Sequence, residues 1–203
     1  MPSEREPGFA VWLTGLPASG KSTVARALQK MLAGRGVRTV VLESDDVRKL
    51  LTPSPRYDPS ERDRFYGALA DLARRLTEEG VPVLVAATAN LRAYRDRARE
   101  VIPRFLEVYV ECPLEVCRQR DPKGIYRRSD AGTAPNVPGV STPYEPPLHP
   151  EVVVDGERDP AGDSARAILR ALASRGFVAR CFRGARRRVR LTGLPGRRRR
   201  LRT

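Results

Sequence analysis

Histidine is all but absent from this chain. His149 is the only one in 203 residues, and cysteine is limited to Cys112, Cys117 and Cys181. Three cysteines make no even disulfide framework, and neither they nor the single histidine fall at a metal-ligand spacing. They read as reduced thiols, and a cytoplasmic protein is expected. Cys112 ends a predicted strand and Cys117 lies on the helix after it, so both read as core packing. No run of about 18 or more apolar residues occurs, which excludes a hydrophobic membrane-spanning helix. The opening residues Met1-Pro2-Ser3-Glu4-Arg5-Glu6 lack the basic region and apolar stretch of a secretory signal.

Acidic residues are missing from one place in particular. Residues 180–203 hold eleven arginines and no Asp or Glu, so of the net charge of +14 only +3 remains for residues 1–179. The basicity therefore belongs to an appendage, not to the folded part. The segment 179–203 is expected to be a disordered, solvated extension without a dedicated partner. Salt-dependent contact with nucleic acid or an anionic surface is the competing reading.

Residues 1–178 are long enough to bury one α/β core, and 40% hydrophobic content is ordinary for such a domain. Five apolar runs are expected as strands: Ala10–Leu13, Thr39–Leu42, Val81–Ala87, Leu106–Glu111 and Val152–Asp155. Helices are predicted near 20–34, 46–51, 59–79, 92–101, 114–120 and 163–175. Strands without a polar face, alternating with helices, argue for a five-stranded parallel sheet covered on both faces. Residues 121–150 break the pattern, with seven prolines and no sustained periodicity. Arg118, Arg120, Lys123, Arg127 and Arg128 crowd the entrance to this stretch. A lid over phosphates, at about 118–147, is expected there.

The strongest single signal is Gly15-Leu16-Pro17-Ala18-Ser19-Gly20-Lys21-Ser22, placed between a predicted strand and a predicted helix. In that context the pattern is a phosphate-binding loop. Glycines let successive N–H groups turn inward, and the helix start adds its positive end. Gly15 to Ser22, with Thr23 after them, are therefore the expected ATP-binding residues. Lys21 would meet the β- and γ-phosphates, and the Ser22 hydroxyl would ligate Mg²⁺.

A second cluster falls at the carboxyl end of the second strand, Glu43-Ser44-Asp45-Asp46-Val47-Arg48. Ligands of open α/β sheets sit at that rim. Carboxylates here suit the water shell of Mg²⁺ or an acceptor hydroxyl. A simple helix cap would need one such residue, not an acid cluster with an arginine. The third strand ends at Thr88-Ala89-Asn90, with Arg92 and Arg95 after it. These could bind anionic acceptor groups or form a solvated basic face.

Together these motifs resemble the adenylylsulfate kinase family of P-loop kinases. The resemblance rests on the phosphate loop, the string at 43–48, Glu61-Arg62 and above all two later runs. These are Arg120-Asp121-Pro122-Lys123-Gly124-Ile125-Tyr126 and Pro143-Tyr144-Glu145-Pro146-Pro147, each following the family's spacing. It spans about residues 9 to 175. It implies transfer of the ATP γ-phosphoryl to the 3′-hydroxyl of adenosine 5′-phosphosulfate. By resemblance Lys21, Asp45 and Lys123 are catalytic, and Asp45 also approaches Mg²⁺, directly or through water. Arg48, Tyr57, Arg62, Asn90 and Lys123 line the acceptor, with Tyr57 stacking on its adenine, and Arg120 joins the ATP site. A homodimer is left open.

The chain departs from the family on the acceptor side. Glu43-Ser44-Asp45-Asp46 stands where Asp-Gly-Asp-Asn is usual, and Phe65-Tyr66-Gly67-Ala68 where Asn-Ile-Arg-Arg is usual. Val137 replaces a stacking phenylalanine, and Asn90-Leu91 stands at the usual Ser-Pro. A kinase of the same family acting on another small hydroxyl metabolite or nucleotide is the alternative reading.

Overall fold

Alternate residues of the first strand divide the core. Val11 and Leu13 pack into one apolar cluster and Ala10 and Trp12 into the other, all four without exposure. That is the period-two arrangement of a strand buried on both faces. The computed structural model describes residues 6–52 and 54–179. The arginine-rich segment and Cys181 lie outside the described residues.

The elements run β1 (Ala10–Thr14), α1 (Lys21–Ala33), β2 (Val40–Glu43), α2 (Ser44–Leu51), α3 (Pro59–Glu78), β3 (Val83–Ala86), α4 (Arg92–Val101), β4 (Phe105–Glu111), α5 (Leu114–Arg120), α6 (Ile125–Asp130), β5 (Val152–Asp155) and α7 (Ala161–Ser174). The strands form one sheet in the order β2-β3-β1-β4-β5, and every pairing is parallel. On one face, α1 and α7 supply Leu28, Leu32, Ile168 and Leu172 to the core. On the other, α3 and α4 supply Phe65, Leu69, Ala73, Tyr94 and Ala98. The expected sheet and its two helical layers are thus present. Among the described residues, no helix is long and apolar enough to cross a membrane.

Element ends differ from expectation in informative ways. β2 is an edge strand, and Val40 on it is 37% exposed, so its apolar character serves pairing with β3 more than burial. α2 begins two residues earlier than the 46–51 predicted, because Asp45 and Asp46 are favourable in a first turn near the positive helix end. α6 lies within the stretch expected to be irregular. Six residues are too few to show a helical period. Its start is instead organised by Asp121, whose carboxylate accepts the N–H groups of Ile125 at 2.7 Å and Arg127 at 3.0 Å.

The connections from the adjacent strands β1 and β3 leave toward opposite sheet edges, one to β2 and one to β4. That opens a crevice at their carboxyl ends, the usual ligand position in such folds.

Candidate active site

The loop from β1 into α1 is shaped by backbone geometry that side chains rarely allow. Gly15 has φ of 153° and Gly20, the N-cap of α1, has φ of 103°. A Cβ on Gly15 would lie 2.4 Å from the Val110 carbonyl oxygen, so only glycine fits there. Lys21 opens the helix and folds back, its ammonium donating to the carbonyls of Gly15 at 3.0 Å and Leu16 at 2.7 Å. Burial lowers its pKa to about 8, with nearby Asp45 partly opposing that shift. The Ser19 hydroxyl is buried with no hydrogen-bond partner among the described residues. An unpaired hydroxyl and a desolvated ammonium facing one loop are a ready receptor for phosphate oxygens.

The rim at β2 and α2 adds the acids. Ser22 donates to Glu43 Oε2 at 2.5 Å, and Glu43 Oε1 is buried without a hydrogen-bond partner among the described residues. A hydroxyl beside a carboxylate oxygen whose nearest cation is Arg26, 3.6 Å away, is a hard-oxygen set that suits Mg²⁺. Asp45 projects one residue past Ser44 and meets the Lys123 ammonium. Asp46 turns away to Lys49 at 2.9 Å on the exposed side of the helix.

Beside α2 lies a cluster of two arginines and aromatic rings. Arg48 donates to Glu61 at 2.6 Å, and its guanidinium sits 3.7 Å from the Phe65 ring centre and 5.0 Å from that of Tyr57. Arg62 donates through Nε to the Tyr57 carbonyl at 2.9 Å, through Nη1 to Asn90 Oδ1 at 3.1 Å, and through Nη2 to the Asn136 carbonyl at 2.5 Å. Tyr57 itself is half-exposed, with φ of 57°. A partly exposed aromatic ring beside two guanidiniums fits a planar anionic ligand.

The segment after α5 covers the phosphate loop. Tyr126 donates to the Pro17 carbonyl at 2.9 Å, and Gly139 packs so closely that a Cβ would fall 2.6 Å from Leu16 Cδ2. Cys112, Cys117, Tyr126 and Val137 form a small apolar cluster there, with Leu16 and Ala18 packed against it.

A family model for adenylylsulphate kinase matches residues 7–155. The chain belongs to that family. An adenylyl-sulfate kinase of Acaryochloris marina is 37% identical over 170 residues, covering 83% of this chain and 83% of its own length. One from Rippkaea orientalis is 37% identical over 176 residues, 87% of this chain and 97% of its own. Among solved structures, the Mycobacterium tuberculosis APS kinase in complex with AMPPNP and APS superposes with a TM-score of 0.78. It is 32% identical and covers 82% of this chain and 98% of that one.

For an adenylylsulphate kinase family member, most residues picked from sequence stand together. Lys21 lies within electrostatic range of Asp45, Lys123 and Glu43, and Arg48, Tyr57, Arg62 and Asn90 form one contact group. Arg120 is set further round, donating to the Gly156 carbonyl at 2.7 Å. Gly156 in turn abuts the phosphate loop, since a Cβ on it would lie 2.4 Å from the Ser19 carbonyl oxygen.

The reading of Arg95 as an acceptor ligand or solvated cation is corrected. It is 1% exposed and binds Glu107 at 2.8 Å, the Glu145 carbonyl at 2.6 Å and the Ala89 carbonyl. Arg92 pairs with Glu145 at the surface, 3.7 Å away. The cysteines Cys112 and Cys117 are buried, as core packing requires, and burial pushes the Cys117 thiol up to about 12.

Sequence reasoning reaches Glu43 only as one acid of the rim cluster and Glu61 only as part of the family match, each without a role, and it misses Asn136. For Glu43 the signal was available, an acid two residues before Asp45. The Asn136 contribution is a backbone carbonyl, which no residue type announces.

Proposed function

We propose that this chain transfers the γ-phosphoryl group of ATP to the 3′-hydroxyl of adenosine 5′-phosphosulfate, releasing ADP and the 3′-phosphorylated nucleotide. The observation that carries the reading is the meeting of Lys123 with Asp45 beside the phosphate loop, within the field of Lys21. A carboxylate for the acceptor hydroxyl and two ammonium groups for phosphoryl oxygens stand at one place.

In the reaction the acceptor oxygen bonds to the γ-phosphorus while the bond to the β,γ-bridging oxygen breaks. Asp45 orients the hydroxyl and takes its proton, and ADP leaves with the electron pair. Lys21 and the N–H groups of the loop hold the β- and γ-phosphate oxygens, and Lys123 follows the transferring group. Arg120 flanks the nucleotide. Ser22 and Glu43, with Asp45 through water, would hold Mg²⁺. Bound there, the ion supplies positive charge against the phosphate oxygens. Arg48 and Arg62 face the acceptor's anionic groups, and Tyr57 stacks on its base. Residues 118–147 act as the lid that excludes water during transfer.

The test is ADP release by the purified full chain with Mg-ATP, with and without adenosine 5′-phosphosulfate at micromolar concentration. ADP release that depends on the acceptor, with a 3′-phosphorylated product, is expected. ATP binding without acceptor-dependent turnover would overturn the reading and move the acceptor to another small hydroxyl metabolite.

A further inference from the structure

A strained residue lies three positions past the end of β3. Ala89 is fully buried with φ of 40°, a conformation that costs any residue with a Cβ and persists only where its surroundings impose it. Two groups impose it here. The buried Tyr66 hydroxyl, from α3, accepts the Ala89 N–H at 3.0 Å, and the Arg95 guanidinium binds the Ala89 carbonyl. The Tyr66 ring is fixed in turn, stacked on Tyr94 at 4.7 Å and edge-on to Phe65 at 5.2 Å.

The next residue shows what the strain accomplishes. Asn90, 1% exposed, is aimed so that its amide oxygen accepts from Arg62 at 3.1 Å and its amide nitrogen donates to the Pro143 carbonyl at 3.0 Å. Its own carbonyl accepts the Glu145 N–H at 2.8 Å. Asn90 therefore ties the acceptor-side arginine to the segment that returns from the lid.

Arg62 has five N–H groups, and Tyr57, Asn90 and Asn136 take three of them. Among the described residues two remain without a partner, one on each terminal nitrogen, and their direction is set by the three that are held. A planar guanidinium fixed in this way presents a defined fork to an oxyanion, whereas a free one must be ordered on binding.

We propose that Tyr66 and Asn90 form a two-residue relay that sets the acceptor specificity of this kinase. The Tyr66 hydroxyl holds Ala89 in its left-handed conformation, Ala89 directs Asn90, and Asn90 fixes the fork of Arg62 on the acceptor's anionic group. Both are positioning residues, acting on the acceptor through Arg62. The relay rests on the proposed function, because Arg62 must face the acceptor for it to matter.

The test uses Tyr66→Phe, Asn90→Ala and the double variant in the full chain. Tyr66→Phe keeps both ring contacts and removes only the hydroxyl. Tyr66→Phe, which withdraws one buried hydrogen bond, is expected to raise the KM for adenosine 5′-phosphosulfate about tenfold, and Asn90→Ala, which withdraws two, at least as much. kcat and the KM for ATP stay within about twofold, as expected when ground-state binding alone is lost. Because the two act in series, the double variant should be no worse than Asn90→Ala alone.

Effects that multiply in the double variant, an unchanged acceptor KM in Tyr66→Phe, or equal losses toward both substrates would overturn the relay. If Tyr66→Phe fails to fold, Asn90→Ser decides alone. A raised acceptor KM with unaltered ATP KM supports the relay, and no change overturns it. Absence of acceptor-dependent turnover in the unmodified chain sinks the functional reading instead, so the two failures are distinguishable.

Discussion

Lys123 and Asp45 meet as an ammonium–carboxylate pair across 78 residues of chain. Asp45 sits in the first turn of α2, and Lys123 lies between α5 and α6. Both side chains stay more than half exposed, 52% for Asp45 and 60% for Lys123. An exposed pair of this kind contributes little to stability. Its importance is chemical, since it marks where the segment after α5 comes down on the acid at the strand rim.

From that exposure follows a separation between folding and turnover. Asp45→Asn is expected to lower kcat by about 10² to 10⁴, the range for losing a positioned general base. Lys123→Ala should also lower kcat, with a smaller effect on acceptor binding. Thermal melting of both should match the unmodified chain. Steady-state kinetics beside a melt checks this, and normal turnover in Asp45→Asn would remove that residue from the chemistry.

Lys21 gives a pH dependence of defined sign. Its ammonium is lowered from 10.5 to about 8 by burial, so the folded chain releases this proton earlier than the unfolded chain does. Between those values the unfolded chain binds more protons, and this group makes stability rise with pH across that window. Catalysis runs the other way, because the charge that meets phosphate is lost. kcat/KM for ATP should fall as pH rises through about 8. Lys21→Arg keeps its charge and should abolish that alkaline limb, even though overall activity drops. A limb that persists unchanged in the arginine variant would belong to another group.

Arg95 should be the most costly surface-looking residue to remove. It pairs with the buried Glu107 and binds two carbonyls, so Arg95→Met leaves that carboxylate with Arg99 alone, 3.1 Å away on its other oxygen. The expected loss is about 3–5 kcal/mol in urea unfolding, the range for breaking a buried pair. Arg95→Lys should not restore it, since a point charge cannot serve three acceptors at fixed angles. A loss below about 1 kcal/mol, the scale of an exposed pair, would show that Glu107 is compensated by Arg99 alone.

The parts of the site that could be read from sequence are those whose chemistry is contiguous. Gly15, Gly20, Lys21 and Ser22 announce phosphate binding because backbone curvature, helix start and charge occur within eight residues. Asp45 and Arg48 were legible for a similar reason, as an acid string at a predicted strand end. α6 was not legible, being a single short helix organised by the Asp121 side chain and not by an apolar period.

Arginines show the limit of such reading most sharply. Arg62 and Arg95 are the same residue type, both on helices, and both were open to an acceptor-binding role. One joins the aromatic ring of Tyr57 and the amide of Asn90, while the other is enclosed against Glu107. A guanidinium's role depends on which groups surround it, and those groups come from distant parts of the chain.

The amino-acid sequence by itself determined the sheet, its two helical layers and the phosphate loop. Apolar alternation and glycine geometry act over a few neighbouring residues and need no knowledge of the rest. Tertiary structure alone decided that Lys123 reaches Asp45, that Tyr66 restrains Ala89, and that Asn90 joins Arg62 to Pro143. Each of these joins residues more than twenty positions apart, so only the packed fold could bring the partners within hydrogen-bonding distance.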